Sequence, residues 1–150
     1  MSNRDTADSV LRMIEDATLG CGWNGQPGRF FCAGTEACRV ACGKLCVHAE
    51  ARAIRAAVTV ARGDIDGLEL VHAKVVDGEL VAGGGPSCWQ CSREILDAGI
   101  AAVWLYETGD PKLAPWADLY RPPGTWRRYT AEDFHRATAA ACGLAVSEGG

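Results

Sequence analysis

The placement of eight cysteines is the feature that most constrains how this chain folds. Five of them lie between positions 21 and 46, and two more form a Cys-x-x-Cys spacing at Cys88 and Cys91. In cytosolic proteins, clustered cysteines serve metal binding or catalysis more often than disulfide formation. We therefore expect a fold that brings sulfur atoms together. If they bind a metal ion, its remaining ligands must come from other parts of the chain.

The remaining composition is that of an ordinary globular protein. A chain of 150 residues is long enough for a buried core, and we predict one domain over residues 1–150. The net charge of −4 disfavours a broad nucleic-acid surface without excluding a local one. There is no apolar run of about 20 residues for a membrane span, and the polar start is unlike a secretory signal. A cytoplasmic protein without a membrane partner is the resulting expectation.

Hydrophobic spacing predicts two helices in the first half of the chain. The first covers residues 5–19, and the second covers about 48–62. Residues 21–46 are rich in glycine and cysteine and are interpreted as a short strand followed by a loop. Spacings of i, i+3, i+4 and i+7 define the apolar face of the second helix, formed by Ile54, Ala57, Val58 and Ala61.

The residue pattern in the second half of the chain predicts strands separated by two further helices. Apolar segments flank Asp77-Gly78, a pair typical of a hairpin turn, and the apolar run 100–106 predicts a buried strand. A proline-rich loop and a last helix occupy about 108–143. The alternation favours an α/β fold. A short helix is predicted between the hairpin and the buried strand, and one of its faces carries Cys88, Cys91, Ile95 and Ala98. Thr130 with Asp133 resembles a capping box at the start of the last helix.

Cys88 and Cys91 lie one helical turn apart, so both sulfur atoms can face one ion. A helix N-terminus favours their thiolate forms. His48 opens its own predicted helix and can supply a third ligand. Two cysteines and one histidine, with a fourth position for water, form a catalytic zinc arrangement in which the pKa of the water is lowered toward neutrality.

Glu50 lies two residues after His48. In an ideal helix, residues two apart point roughly 200° away from each other. We therefore predict that His48 precedes helical geometry, so that both side chains can face one pocket. A carboxylate there can move a proton between water and substrate. Taken alone, His48 could be an ordinary histidine, and the Cys-x-x-Cys pair could be a structural zinc site or a redox motif. His72 and His135 are assigned no ligand role.

Together, "HAE" at 48–50 and "PSCWQC" at 86–91 resemble the H-x-E…P-C-x-x-C signature of zinc-dependent deaminases. From about residue 21 to 107 the chain resembles the cytidine/deoxycytidylate deaminase superfamily. The resemblance implies a three-layer α-β-α sandwich around a central mixed sheet of about five strands. It implies a homo-oligomer whose neighbouring subunits close each site. It also implies site roles, with Glu50 as proton carrier and zinc held by His48, Cys88 and Cys91.

The segment "GWNGQPG" (22–28) is similar to the G-Y-N-G-x-P-x-G segment of deoxycytidylate deaminases. This similarity implies that Asn24 contacts substrate and that a cytosine nucleotide or nucleoside is the leading substrate. Trp89 is interpreted either as a wall of the base pocket or as a core residue. Arginine and lysine side chains near the motifs are interpreted as phosphate partners or as solvated charges, namely Lys44, Arg52, Arg55, Arg127 and Arg128.

Residues 29–46 stand where that family often carries Cys-rich insertions, sometimes with a second, structural zinc. Four sulfur atoms can bind zinc tetrahedrally, although buried thiols without metal are the alternative. The spacings match no single zinc template, and Cys21 is an alternative fourth ligand. The candidate ligands of this possible second metal are Cys32, Cys38, Cys42 and Cys46.

Two departures from the family pattern keep other functions open. Arg52 stands where the family usually has asparagine, and Ser87 separates Pro86 from Cys88. Other substrates are therefore a purine base, an antibiotic-like nucleoside or single-stranded nucleic acid. The alternative outside enzymes is a zinc-stabilised binding module in which every cysteine is structural.

Overall fold

The described part of this computed structural model is an α/β structure with three helices, a three-stranded mixed sheet and a two-stranded sheet. The α/β class is confirmed, but the central sheet has three strands in the described residues, where about five were expected. No helix in this part of the chain is long and apolar enough to cross a membrane. The structure describes residues 20–22, 47–83, 85–86, 88–108 and 124–146.

Several predictions fall outside the described residues. These are the helix over 5–19, the strand and loop within 23–46, and most of the proline-rich loop, at 109–123. Two compact units make up the described chain, one ending at Ile65 and the other beginning at Asp66.

The first unit contains helix α1 (Ala49–Val60), which confirms the helix predicted over 48–62. Two glycines allow the chain to lie directly against this helix. A side chain at Gly20 would overlap backbone atoms of the helix, and one at Gly22 would do the same nearer the helix start. The predicted apolar face is only partly covered, because Ala57 is buried whereas Val58 is 37 % exposed.

In the second unit, β4 (Ala102–Glu107) is the central strand of the mixed sheet. Strand β1 (Glu69–His72) pairs with it in parallel, with Glu69 opposite Ala102. Strand β5 (Thr125–Thr130) pairs with its other edge in antiparallel fashion. Four of the six β4 residues are buried, which confirms the buried strand predicted from the apolar run.

The predicted hairpin is present, formed by β2 (Lys74–Val76) and β3 (Glu79–Val81). Its turn residues, Asp77 and Gly78, have φ angles of 51° and 76°. Positive φ at both central positions is the geometry of a type I′ turn, which asparagine, aspartate and glycine favour. Beyond the hairpin, Gly83 donates its N–H to the Tyr106 carbonyl (2.9 Å), so the chain rejoins the sheet before the Cys88 turn.

Helices α2 (Trp89–Asp97) and α3 (Ala131–Ala141) pack against each other, and α3 also contacts β4 and β5. Both helices were predicted. The Thr130 hydroxyl accepts from the Asp133 N–H (3.1 Å), which confirms the predicted cap of α3. The shared core of these elements contains Cys91, Ile95, Val103, Leu105 and Phe134.

Strand β5 was not predicted. Its burial does not alternate, because Tyr129 is its one buried residue while Arg127 and Arg128 are exposed. A strand of this kind carries no period-2 hydrophobic signal. The segment predicted as one strand before the hairpin is also divided, since β1 pairs with β4 whereas β2 pairs with β3.

Candidate metal centre

His48 is the N-cap residue of α1. Its backbone is extended (φ −73°, ψ 153°), and its carbonyl accepts the first helical hydrogen bond, from the Arg52 N–H at 3.2 Å. The prediction that His48 precedes helical geometry is confirmed. Glu50 lies in the first helical turn and is 8 % exposed, so the one acidic residue of this turn is buried.

Cys88 occupies the equivalent position on α2. It is the N-cap residue with an extended backbone, and its Sγ accepts from the Cys91 N–H at 3.5 Å. Cys91 lies in the first turn and is 2 % exposed. Both sulfur atoms thus lie at a helix N-terminus, where the backbone N–H groups favour negative charge. The described cysteines form no disulfide with one another.

The ligand atoms of His48, Cys88 and Cys91 all lie within 4.8 Å of one another. Cys91 is buried and the other two are half-buried. This spacing is close enough for the three side chains to hold one metal ion. Two sulfur donors with one imidazole nitrogen suit zinc, a borderline-soft ion bound by cysteine and histidine. The residues present therefore fit the group that the sequence motif implies.

The other predicted contact residues divide into described and undescribed positions. Trp89 is 52 % exposed, so it is not a core residue, and the Arg93 guanidinium lies 4.9 Å from the centre of its ring. Arg52 is half-buried on α1, and Arg55 is exposed. Residues outside the described chain are Asn24, Lys44 and the possible second set of ligands, Cys32, Cys38, Cys42 and Cys46.

The two arginines of β5 already face carboxylates. Arg128 donates to Glu69 through Nη2 (2.6 Å) and Nε (2.9 Å), and Arg127 donates to Glu107 at 3.4 Å. A hydrogen bond from Trp104 and then the Arg128 guanidinium lower the pKa of Glu69. A phosphate would have to compete with these carboxylates, which weakens the interpretation of both arginines as phosphate partners.

One buried and one partly buried polar pair were not found from the sequence. Tyr129 donates to Glu107, and the Ser92 hydroxyl lies 3.0 Å from Nδ1 of His135. The partners are 22 and 43 positions apart, so no local motif joins them. For the pair of Tyr129 and Glu107, the sequence offers one sign, which is the position of Glu107 at the end of the apolar strand β4. The group of possible metal ligands in the described residues consists of His48, Cys88 and Cys91, and the expectation for His72 and His135 stays a prediction.

Comparison with known proteins adds no relative. No family model, no curated protein and no solved structure matches the chain. The two sequence motifs and the three side chains that lie together are therefore the features that indicate a function.

Proposed function

We propose that this protein is a zinc-dependent hydrolytic deaminase. It would convert an amino-bearing nucleobase ring to the carbonyl form and release ammonia. The observation that carries the proposal is the proximity of His48, Cys88 and Cys91, whose ligand atoms lie within 4.8 Å. A buried glutamate two residues from the histidine, Glu50, adds the group that a purely structural site does not need.

In this proposal, His48, Cys88 and Cys91 hold the zinc ion. When bound, zinc supplies a water molecule of lowered pKa, the nucleophile of a hydrolytic reaction. Glu50 would take one proton from the attacking water and pass it to the ring nitrogen as the water oxygen bonds to the amino-bearing carbon. It would then pass the second proton to the amino group, which leaves as ammonia when the C–N bond breaks. The burial of Glu50 limits its access to bulk water, which suits a group that carries protons to a bound substrate.

A cytosine nucleotide or nucleoside, such as deoxycytidylate, is the leading substrate. Support comes from the similarity of residues 22–28 to deoxycytidylate deaminases, with Asn24 as the substrate contact. Trp89 offers a half-exposed aromatic ring between the two cysteines, against which a base can stack. Arg52, in place of the usual asparagine, favours a substrate that differs from the usual one in charge or hydrogen bonding.

The proposed function carries further expectations from the same resemblance. These are a three-layer sandwich with a central sheet of about five strands, a cytoplasmic location and a homo-oligomer. A second, structural zinc bound by Cys32, Cys38, Cys42 and Cys46 belongs to the same proposal.

The decisive test compares Glu50→Gln with the wild-type chain and with Glu132→Gln. Glu132 is exposed on α3, so its variant makes the same chemical change away from the site. Zinc content is measured on all three proteins, and ammonia release is followed across cytosine, adenine and guanine compounds. We expect Glu50→Gln to keep its zinc and lose about 10²–10⁴-fold in turnover, because general acid–base catalysis contributes factors of this size.

Undiminished turnover in Glu50→Gln would exclude the proposed mechanism. A zinc-stabilised binding module instead predicts that no compound turns over and that Cys88→Ser unfolds the protein. If the substrate is a nucleotide, phosphorylated compounds must exceed their nucleosides in kcat/KM.

A further inference from the structure

Ser92 is a buried polar residue that the proposed reaction does not use. It follows Cys91 directly on α2 and is 1 % exposed. Its hydroxyl donates to the Trp89 carbonyl at 3.1 Å, and the same oxygen lies 3.0 Å from Nδ1 of His135. A serine hydroxyl has one hydrogen; when that hydrogen is directed to the Trp89 carbonyl, the Ser92 oxygen accepts from the Nδ1–H tautomer of His135. This bond joins α2 to α3.

The Ser92 contacts all fall on the turn that presents the two sulfur atoms. The Ser92 N–H donates to the Cys88 carbonyl at 3.0 Å, and the Cys91 N–H approaches the Cys88 sulfur at 3.5 Å. The Trp89 carbonyl, which the Ser92 hydroxyl contacts, lies between them in the chain. A shift of Ser92 would therefore move the backbone that carries both cysteines.

His135 is half-buried on α3. It follows Phe134, and both Phe134 and the nearby Thr138 are buried. The opposite helix, α2, packs against α3 and contains Ile95, which is fully buried. A hydrogen bond between such well-packed helices fixes the orientation of its partners, and loss of the donor leaves a buried oxygen with one interaction fewer.

We infer that His135 is a positioning residue for the metal-binding turn of α2, acting through Ser92 on Cys88 and Cys91. This inference rests on the metal centre of the proposed function, although it does not require the deaminase reaction. Groups that orient metal ligands from behind commonly change metal affinity by about 10–100-fold when they are removed.

The test measures zinc affinity by chelator competition and the absorption spectrum of the Co²⁺-substituted protein. The variants are His135→Leu, which removes the N–H donor, and His135→Asn, whose side-chain amide can donate from nearly the same position as Nδ1. Thr138→Val is the matched control. It removes a buried hydroxyl on the same helix that bonds to the Phe134 carbonyl (2.8 Å) and not to Ser92.

We expect His135→Leu to weaken zinc binding by about 10–100-fold and to alter the sulfur–cobalt absorption bands. His135→Asn should restore both properties to wild-type values, and Thr138→Val should change thermal stability without changing either. Ser92→Ala should weaken zinc binding at least as much as His135→Leu, because it also removes the bond to the Trp89 carbonyl. The double variant should add little to Ser92→Ala, because the bond to His135 is already lost.

The possible failures are distinguishable. If the wild-type protein binds neither zinc nor cobalt, the proposed metal centre and this inference both fail. If it binds metal and His135→Leu matches it in affinity and spectrum, or if His135→Asn fails to restore them, the inference alone is overturned. If metal binding depends on His135 but no compound is deaminated, the inference stands and the deaminase proposal fails.

Discussion

Tyr129 is buried and donates its hydroxyl hydrogen to the Glu107 carboxylate, and burial followed by this bond raises its pKa. The Glu107 oxygens lie 2.8 and 2.9 Å from the tyrosine oxygen, and Tyr129 itself is 8 % exposed. Burial and the neighbouring Glu107 charge raise the pKa of Tyr129 to about 12, against an opposing effect of Arg127. The neutral phenol therefore serves as a hydrogen-bond donor to the buried Glu107 side chain.

The raised pKa of Tyr129 predicts a specific loss of stability in alkali. In the unfolded chain this phenol ionises near pH 10, whereas the folded value is about 12. The stabilisation is therefore complete below about pH 10 and disappears as the pH rises through the folded pKa. In denaturant unfolding from pH 9 upward, the wild-type protein should lose stability faster than Tyr129→Phe.

A titration of tyrosinate absorbance checks the same point directly. The wild-type protein should show a step near pH 12 that Tyr129→Phe lacks, while Tyr106→Phe serves as the control and retains it. Disappearance of the high-pH step in the Tyr106 variant, or ordinary titration of every tyrosine, would contradict the assignment.

At the scale of elements, Thr130 has two functions at one position. It is the last residue of β5, opposite Ala102, and its side chain caps α3 by accepting from the Asp133 N–H. The next residue, Ala131, donates its N–H to the Ala101 carbonyl at 3.1 Å. The chain thus changes from strand to helix with its hydrogen bonds satisfied, and this junction holds α3 against the sheet.

We predict that Thr130→Ala lowers the free energy of unfolding by about 1 kcal/mol, the usual cost of losing an N-cap side chain. Thr130→Ser keeps the hydroxyl, so its free energy of unfolding should stay close to that of the wild-type protein. Thr125→Ala, at the exposed first residue of β5, is the control for loss of a strand threonine. Urea unfolding measures all three variants, and equal effects at positions 130 and 125 would show that the cap contributes nothing.

The elements that the sequence predicted are those with local signals. Helix α1 has its spacing of apolar residues, α3 has its cap, and the hairpin has Asp77-Gly78 in a turn that requires positive φ. Strand β5 has no such signal, because cross-strand partners fix it. Its two arginines are exposed and pair with Glu107 on the adjacent strand β4 and with Glu69 on β1, beyond it.

The same distinction applies to the site. His48, Cys88 and Cys91 were predicted because short motifs mark them, and the structure brings their ligand atoms together. The bond between Ser92 and His135 depends on how α2 packs on α3, which no spacing along the chain specifies. The substrate is harder still to predict, since Asn24 lies outside the described residues.

At the scale of the whole molecule, a metal held by these residues would couple binding to folding. His48 and Cys88 are separated by 40 positions in the sequence, so an unfolded chain does not hold them together. A ligand that binds only the folded state stabilises it by mass action, by about 2.7 kcal/mol when its free concentration is 100 times Kd. Stability should therefore depend on zinc concentration.

We accordingly predict that removing zinc with a chelator lowers Tm and that added zinc restores it in proportion to the logarithm of its free concentration. Cys88→Ser should lose this response, because it removes one of the three ligands. Cys142→Ser is the matched control, since Cys142 is an exposed thiol at the end of α3 and outside the ligand group. Thermal unfolding at fixed protein and varied free zinc makes the comparison. A response that remains in Cys88→Ser, equal to that of Cys142→Ser, would assign the stabilising zinc to other residues and contradict the proposed ligand set.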